Sequence, residues 1–107
     1  AESPFLSQLL VDRGDALFEM GDKLEALKQY LQVVENHADT STAPQALYNT
    51  TCTLLDLQRH DETVTRASAF LLKYKESSLL PDVRYLLGEA QLQQEKMPEA
   101  ESTFRQL

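Results

Sequence analysis

A recurrence constrains this 107-residue chain more than any other feature: small and aromatic residues return every 37 positions. Gly14 lines up with Thr51 and Gly88, Ala16 with Thr53 and Ala90, and Ala26 with Thr63 and Ala100. Tyr30 lines up with Ala67 and Phe104, Val33 with Phe70 and Leu107, and Pro44 with Pro81. Self-similarity at a fixed period of about 20–50 residues marks a repeat architecture, in which one supersecondary unit stacks on the next. The columns have a physical meaning. A small residue on one helix lets a second helix come close, and the aromatic on that second helix fills the space under the next hairpin. The fullest unit is Val83–Ala90, answered by Glu99, Ala100 and Phe104. In the middle unit Ala67 and then Phe70 reverse the large-then-small order of its neighbours, a swap that conserves volume locally.

Apolar residues between the breaks recur at three and four, the helical period. Phe5, Leu6, Leu9, Leu10, Ala16, Leu17 and Met20 predict a first helix, with Ser3 as N-cap and Pro4 as its first residue. Gly21-Asp22 breaks it. The pattern predicts further helices over about 23–36, 43–57 (capped by Thr42), 61–74 and 81–94. A sixth starts at Pro98 and is left unfinished at Leu107. No stretch alternates with period two long enough for a strand.

The length suits one packed domain. Seventeen acids against ten bases give a formal charge of -7, which would repel phosphates, so nucleic acid and anionic membrane surfaces are disfavoured partners. No apolar run reaches the roughly 18 residues of a membrane span. Ala1-Glu2-Ser3-Pro4 has neither the basic segment nor the apolar core of a signal peptide, and whether it is a mature N-terminus or a boundary stays open. Cys52 is the only cysteine, so no internal disulfide is expected.

The pattern resembles the tetratricopeptide repeat. The matching residues are Gly14, Ala16, Leu17, Gly21, Asp22, Ala26 and Tyr30 in the first unit, and Leu87, Gly88, Ala90, Glu99, Ala100 and Phe104 in the third. The middle unit is poor, with Thr51 and Thr63 in the Gly and Ala columns. Arg13 stands where an apolar residue is usual, and Glu95 where Gly is usual. The usual repeat has about 34 residues, so the three extra per unit fall most simply in the loops 37–42 and 75–80. The phrase Phe70–Tyr74, Ser77-Ser78, Pro81 and Tyr85–Ala90 is similar to a bacterial envelope subgroup, the TolA-binding and outer-membrane-assembly components. The resemblance implies an all-α, right-handed superhelix of three antiparallel hairpins, six helices without a capping helix. It implies a single domain with units of about 4–40, 41–78 and 79–107, the last truncated.

In such an array the first helix of each unit lines an inner, concave wall. The register places Gln8, Val11, Asp12, Asp15 and Glu19 there, then Gln45, Tyr48, Asn49, Cys52 and Asp56, then Asp82, Tyr85, Leu86, Glu89 and Gln93. The candidate binding residues are Asp12, Asp15, Glu19, Tyr48, Asn49, Asp56, Asp82, Tyr85 and Glu89. They predict an acidic groove with two aromatic platforms, suited to a protein segment bearing basic and apolar side chains. The same acids would also make an ordinary solvated face, and the tyrosines could equally be packed between helices. Chaperone-adaptor members of the family grip a C-terminal carboxylate with basic and amide side chains. Of the matching positions Val11, Asp15, Asn49, Asp82 and Leu86, only Asn49 suits that job, so no such binding is expected.

Other chemistry is missing from the sequence. His37 and His60 read as exposed loop residues without metal-ligand spacing, and Cys52 has no histidine beside it. There is no phosphate loop and no nucleophile elbow. The expectation is a binding module or scaffold with no enzymatic activity, no cofactor and no metal. The alternative is a segment that self-assembles through uncovered ends, with Leu87, Phe104 and Leu107 partly exposed to form a homo-oligomer. Composition leaves the compartment undecided; the envelope resemblance leans periplasmic, with cytoplasm as the alternative.

Overall fold

The computed structural model describes residues 4–107; the expected Ser3 cap lies outside them. The described residues form six helices and no strand: α1 Pro4–Glu19, α2 Lys23–Asn36, α3 Ala43–Asp56, α4 His60–Lys73, α5 Leu80–Gln93 and α6 Met97–Arg105. The sixth helix finishes at Arg105 rather than running to Leu107; Gln106 and Leu107 fold back in bonds to Thr103 and Phe104. No helix is long and apolar enough to cross a membrane.

Each helix packs on the next in sequence, and α3 also touches α5. This is a stack of three hairpins rather than a bundle about one axis. The overall extents are 42 × 31 × 17 Å. The shortest matches two helix layers about 10 Å apart.

The backbone repeats as faithfully as the side chains. The turns within all three hairpins are alike. Gly21, Gln58 and Glu95 have positive φ (86°, 60° and 62°). The following N–H of Asp22, Arg59 or Lys96 donates to the carbonyl five residues back, of Leu17, Leu54 or Gln91, at 2.9–3.0 Å. This is the Schellman closure of a helix, which favours glycine because a side chain there meets its own backbone. Only the first turn has the glycine. Only the first also has a side-chain cap, Asp22 accepting from the Glu25 N–H at 3.4 Å. Arg59, Lys96 and Thr42 occupy cap positions without capping side-chain bonds. The loops between hairpins also correspond: Thr40 N–H donates to His37 O and Ser77 N–H to Tyr74 O, 37 positions on.

The small-residue column faces the aromatic of its own hairpin. A Cβ built on Gly14 would lie 2.8–2.9 Å from Cδ1 and Cζ of Tyr30, and one on Gly88 would lie 2.6–2.7 Å from Cζ and Cδ1 of Phe104. Tyr30 also joins Leu10, Val11, Ala26, Val33 and Ala46 in the first core cluster. Phe70, Ala67, Leu47, Val83 and Leu87 make the second. In the middle unit the same register holds Thr51 and Ala67, both fully buried. The volume exchange therefore runs between the two helices of a hairpin: glycine with an aromatic, or threonine with alanine. Buried Thr50, Thr51, Thr53 and Thr63 return their hydroxyls to the carbonyl one turn earlier at 2.7–2.8 Å, so none of these four hydroxyls is stranded.

Candidate functional site

The odd-numbered helices share one wall. Asn49 Nδ2 on α3 donates to Asp15 Oδ1 on α1 at 3.4 Å, tying the first two units together, and α3 packs on α5. Along this wall Asp12, Asp15, Glu19, Asp56 and Asp82 are exposed, and Asn49 and Glu89 are half-buried. Gln8 donates to Asp12 at 3.0 Å and Gln45 to Asn49 at 2.8 Å, so the amides run as short ladders along their helices.

The acids converge electrostatically. Asp56 and Asp82 both bear on the Cys52 thiol, which is raised chiefly by burial. Burial pushes the Tyr48 phenol up to about 12, helped by its hydrogen bond with Cys52 and by Asp82. Tyr30 is raised further still, first by burial, then by its hydrogen bond to Asp15, with Glu19 adding to it. At neutral pH Tyr30 is thus a donor and Cys52 a neutral thiol, without the lowered pKa of a nucleophile. One base reaches this set among the described residues: Lys23 Nζ lies 3.7 Å from Asp56 Oδ2 and 5.8 Å from the centre of the Phe18 ring.

The two tyrosines differ. Tyr85 is 52% exposed, its ring centre 6.3 Å from that of Phe104. Tyr48 is half-buried against the second core cluster, so it is partly a packing residue and only part of it is available. Val11 and Leu86 are buried and do not line the wall. Val11 lies one turn before Gly14 and joins the core with Ala26 and Tyr30 of α2. Leu87 is likewise buried, in the second core, whereas Phe104 is half-buried and Leu107 is 57% exposed. His60 is the first residue of α4 and, like His37, half-buried rather than an exposed loop residue.

Two contributors escaped the sequence reading. The repeat makes Tyr30 a packing aromatic, yet its hydroxyl donates to Asp15 Oδ1 at 2.5 Å. Its counterpart Phe104 has no hydroxyl, and a buried phenol requires a partner; that contrast was the available signal. Lys23 opens α2 and gave no hint of reaching α3. Between α1 and α3 lies a cavity of about 170 Å³ lined by Asp15, Phe18, Tyr30, Asn49, Cys52 and Thr53. Between α3 and α5 a second, of about 330 Å³, is lined by Asp56, His60, Glu89 and Gln93 among others. Among the described residues no group of three or more His, Cys, Asp or Glu could hold a metal ion.

Neither the curated proteins nor the solved structures include a match to this chain. A family model described as tetratricopeptide repeat matches residues 8–40, the first hairpin and most of the loop after it, and together with three hairpins in one 37-residue register it supports a tetratricopeptide-repeat protein.

Proposed function

We propose that the wall formed by α1, α3 and α5 binds a peptide or helical segment of a partner protein, the chain serving as a scaffold within a larger assembly. Tetratricopeptide repeats generally mediate protein–protein interaction, and the family is typically non-enzymatic. The observation that carries the reading here is the lopsided charge of the wall. Asp15, Glu19, Asp56 and Asp82 act on one set of buried phenols and thiol, with Lys23 the one base paired to a wall acid among the described residues. A segment with basic and apolar side chains is complementary to that field, which would speed encounter, while the exposed Tyr85 and the accessible part of Tyr48 offer contact area. Acids at positions 15 and 82, with Val11 and Leu86 buried, argue against capture of a C-terminal carboxylate.

The test is binding of an amphipathic basic helix peptide followed by calorimetry at two salt concentrations. Binding weakened by salt, by Asp15→Lys and by Tyr48→Ala supports the groove; binding indifferent to both substitutions refutes it. The resemblance in 70–90 favours a bacterial envelope setting, and thus the periplasm, as the place to seek the partner.

One observation favours a second reading, self-assembly through the ends of the stack. Ala43 and Ala46 on α3 and Val83 on α5 are buried, but Leu6 and Leu9 in the same register of α1 are 43% and 37% exposed. At the other end Met97 and Leu107 are open. Sedimentation mass rising with concentration, and abolished by Leu9→Glu, would support it; a constant monomer mass would end it.

A further inference from the structure

The cavity between α1 and α3 has a definite chemistry, and we infer that it is a subsite for one side-chain guanidinium of the bound segment; this rests on the groove reading above. At about 170 Å³ it falls below the roughly 300 Å³ at which pockets for whole small molecules begin. That suits one side-chain head group rather than a whole ligand.

Its one charged group is a carboxylate held in place. Tyr30 Oη donates to Asp15 Oδ1 at 2.5 Å and Asn49 Nδ2 to the same oxygen at 3.4 Å. Tyr30 itself is 3% exposed and packed against Gly14, so it cannot swing away. Both donors spend themselves on Oδ1. No described protein donor reaches Oδ2, although the carboxylate can accept at both oxygens. Asp15 therefore keeps acceptor capacity at Oδ2, on the rim of a cavity whose other walls are Phe18, Tyr30, Asn49, the neutral Cys52 thiol and Thr53.

A guanidinium fits these walls better than an ammonium. It is planar, weakly hydrated and stacks on an aromatic face, whereas an ammonium is a compact, strongly hydrated point charge. Asn49 Oδ1, which already accepts from Gln45 at 2.8 Å, has a second lone pair for another N–H of the fork. Lys23 Nζ comes within 5.8 Å of the Phe18 ring centre, but it does not line the cavity and its ion pair is with Asp56.

The probe is Nα-acetyl-arginine amide, titrated into ¹⁵N-labelled protein, with Nα-acetyl-citrulline amide as the neutral isostere and Nα-acetyl-lysine amide as the ammonium. The expected result is saturable shifts at the amides of Asp15, Phe18, Asn49 and Cys52 with the arginine probe, none with citrulline, and at least tenfold weaker binding of lysine. Asp15→Asn, which keeps an acceptor for Tyr30, should weaken the arginine probe at least tenfold, while Asp39→Asn in the exposed loop leaves it unchanged. Equal binding of the lysine probe, or shifts spread over all the wall acids, overturns the guanidinium subsite. If no probe binds but an arginine-containing amphipathic helix still shifts Tyr48 and Tyr85, the subsite is wrong and the groove stands. If the helix also shifts no wall residue, both are wrong.

Discussion

Replacing Gly14 with alanine separates packing from helix propensity, because the two act in opposite directions. In an exposed helix the change stabilises by about 1 kcal/mol. Here the new Cβ would sit 2.8–2.9 Å from Cδ1 and Cζ of Tyr30, far inside contact distance. The ring has nowhere to go: it is 3% exposed and its hydroxyl is fastened to Asp15 at 2.5 Å. Overpacking of this kind costs about 1–3 kcal/mol, and displacing the phenol endangers a hydrogen bond to a charged group worth roughly 1.5–3 kcal/mol. The net expectation is a loss of about 1–3 kcal/mol. At roughly 4–8 °C per kcal/mol for a domain near this size, Tm should fall by at least several degrees. Urea unfolding followed by circular dichroism gives the free energy directly, with an unchanged m value as the check that the compared states are alike. Gly88→Ala should cost less, because Phe104 is only half-buried and can turn aside. The repeat supplies the rescue. Gly14→Thr with Tyr30→Ala copies the Thr51 and Ala67 pair of the middle unit, and should be better than the sum of its single changes by about 1 kcal/mol or more. If Gly14→Ala is as stable as the parent, or if the rescue shows no coupling, the complementarity argument fails.

Further outcomes follow from the turns and from the phenols. Gln58→Gly and Glu95→Gly should each stabilise by about 0.5–1 kcal/mol in the same unfolding assay, since both residues hold positive φ that costs an L-residue about 1–2 kcal/mol, partly offset by the freedom glycine loses on folding. Gly21→Ala should destabilise by a similar amount. Stability should also fall in alkali. Tyr30 and Tyr48 are both raised above the ordinary 10.0, chiefly by burial. Below pH 10 both are protonated folded or unfolded, and their contribution is fully present. Above it the unfolded chain releases protons that the folded chain retains, so stability drops by up to about 1.4 kcal/mol per pH unit for each phenol until the folded group also ionises. Tyr30→Phe with Tyr48→Phe should flatten the decline between pH 10 and 12; an unaltered slope would refute the assignment.

The fold was largely legible because two periods coincide in the sequence. Helical spacing gave the elements, and the 37-residue spacing gave their stacking. Helix ends were read to within a residue or so except in α6, where a C-terminal turn bonds back to Thr103 and Phe104. The wall was less legible. Register alone placed Val11 and Leu86 on it, although each sits one helical turn from a packing residue and follows that residue inward. Nor could register show the partners across helices. Asp15 looked like any exposed acid until Tyr30 and Asn49 were found on one of its oxygens, and Asp56 gave no sign of Lys23. Such pairs depend on side-chain reach between separate helices, which a one-dimensional pattern does not encode. The turn geometry was hidden for a different reason. Gln58 and Glu95 are poor residues for it, and the backbone adopts it because the flanking helices hold it there.

The succession of contacts, each helix against its successor with α3 also meeting α5, bears on how the chain would fold. No interaction must wait for a segment made much later. α1 and α2 could close on one another while α5 was still being synthesised, and each later hairpin would find a template already in place. Such short-range topologies fold fast, and the slow step would be the earliest docking of two hairpins.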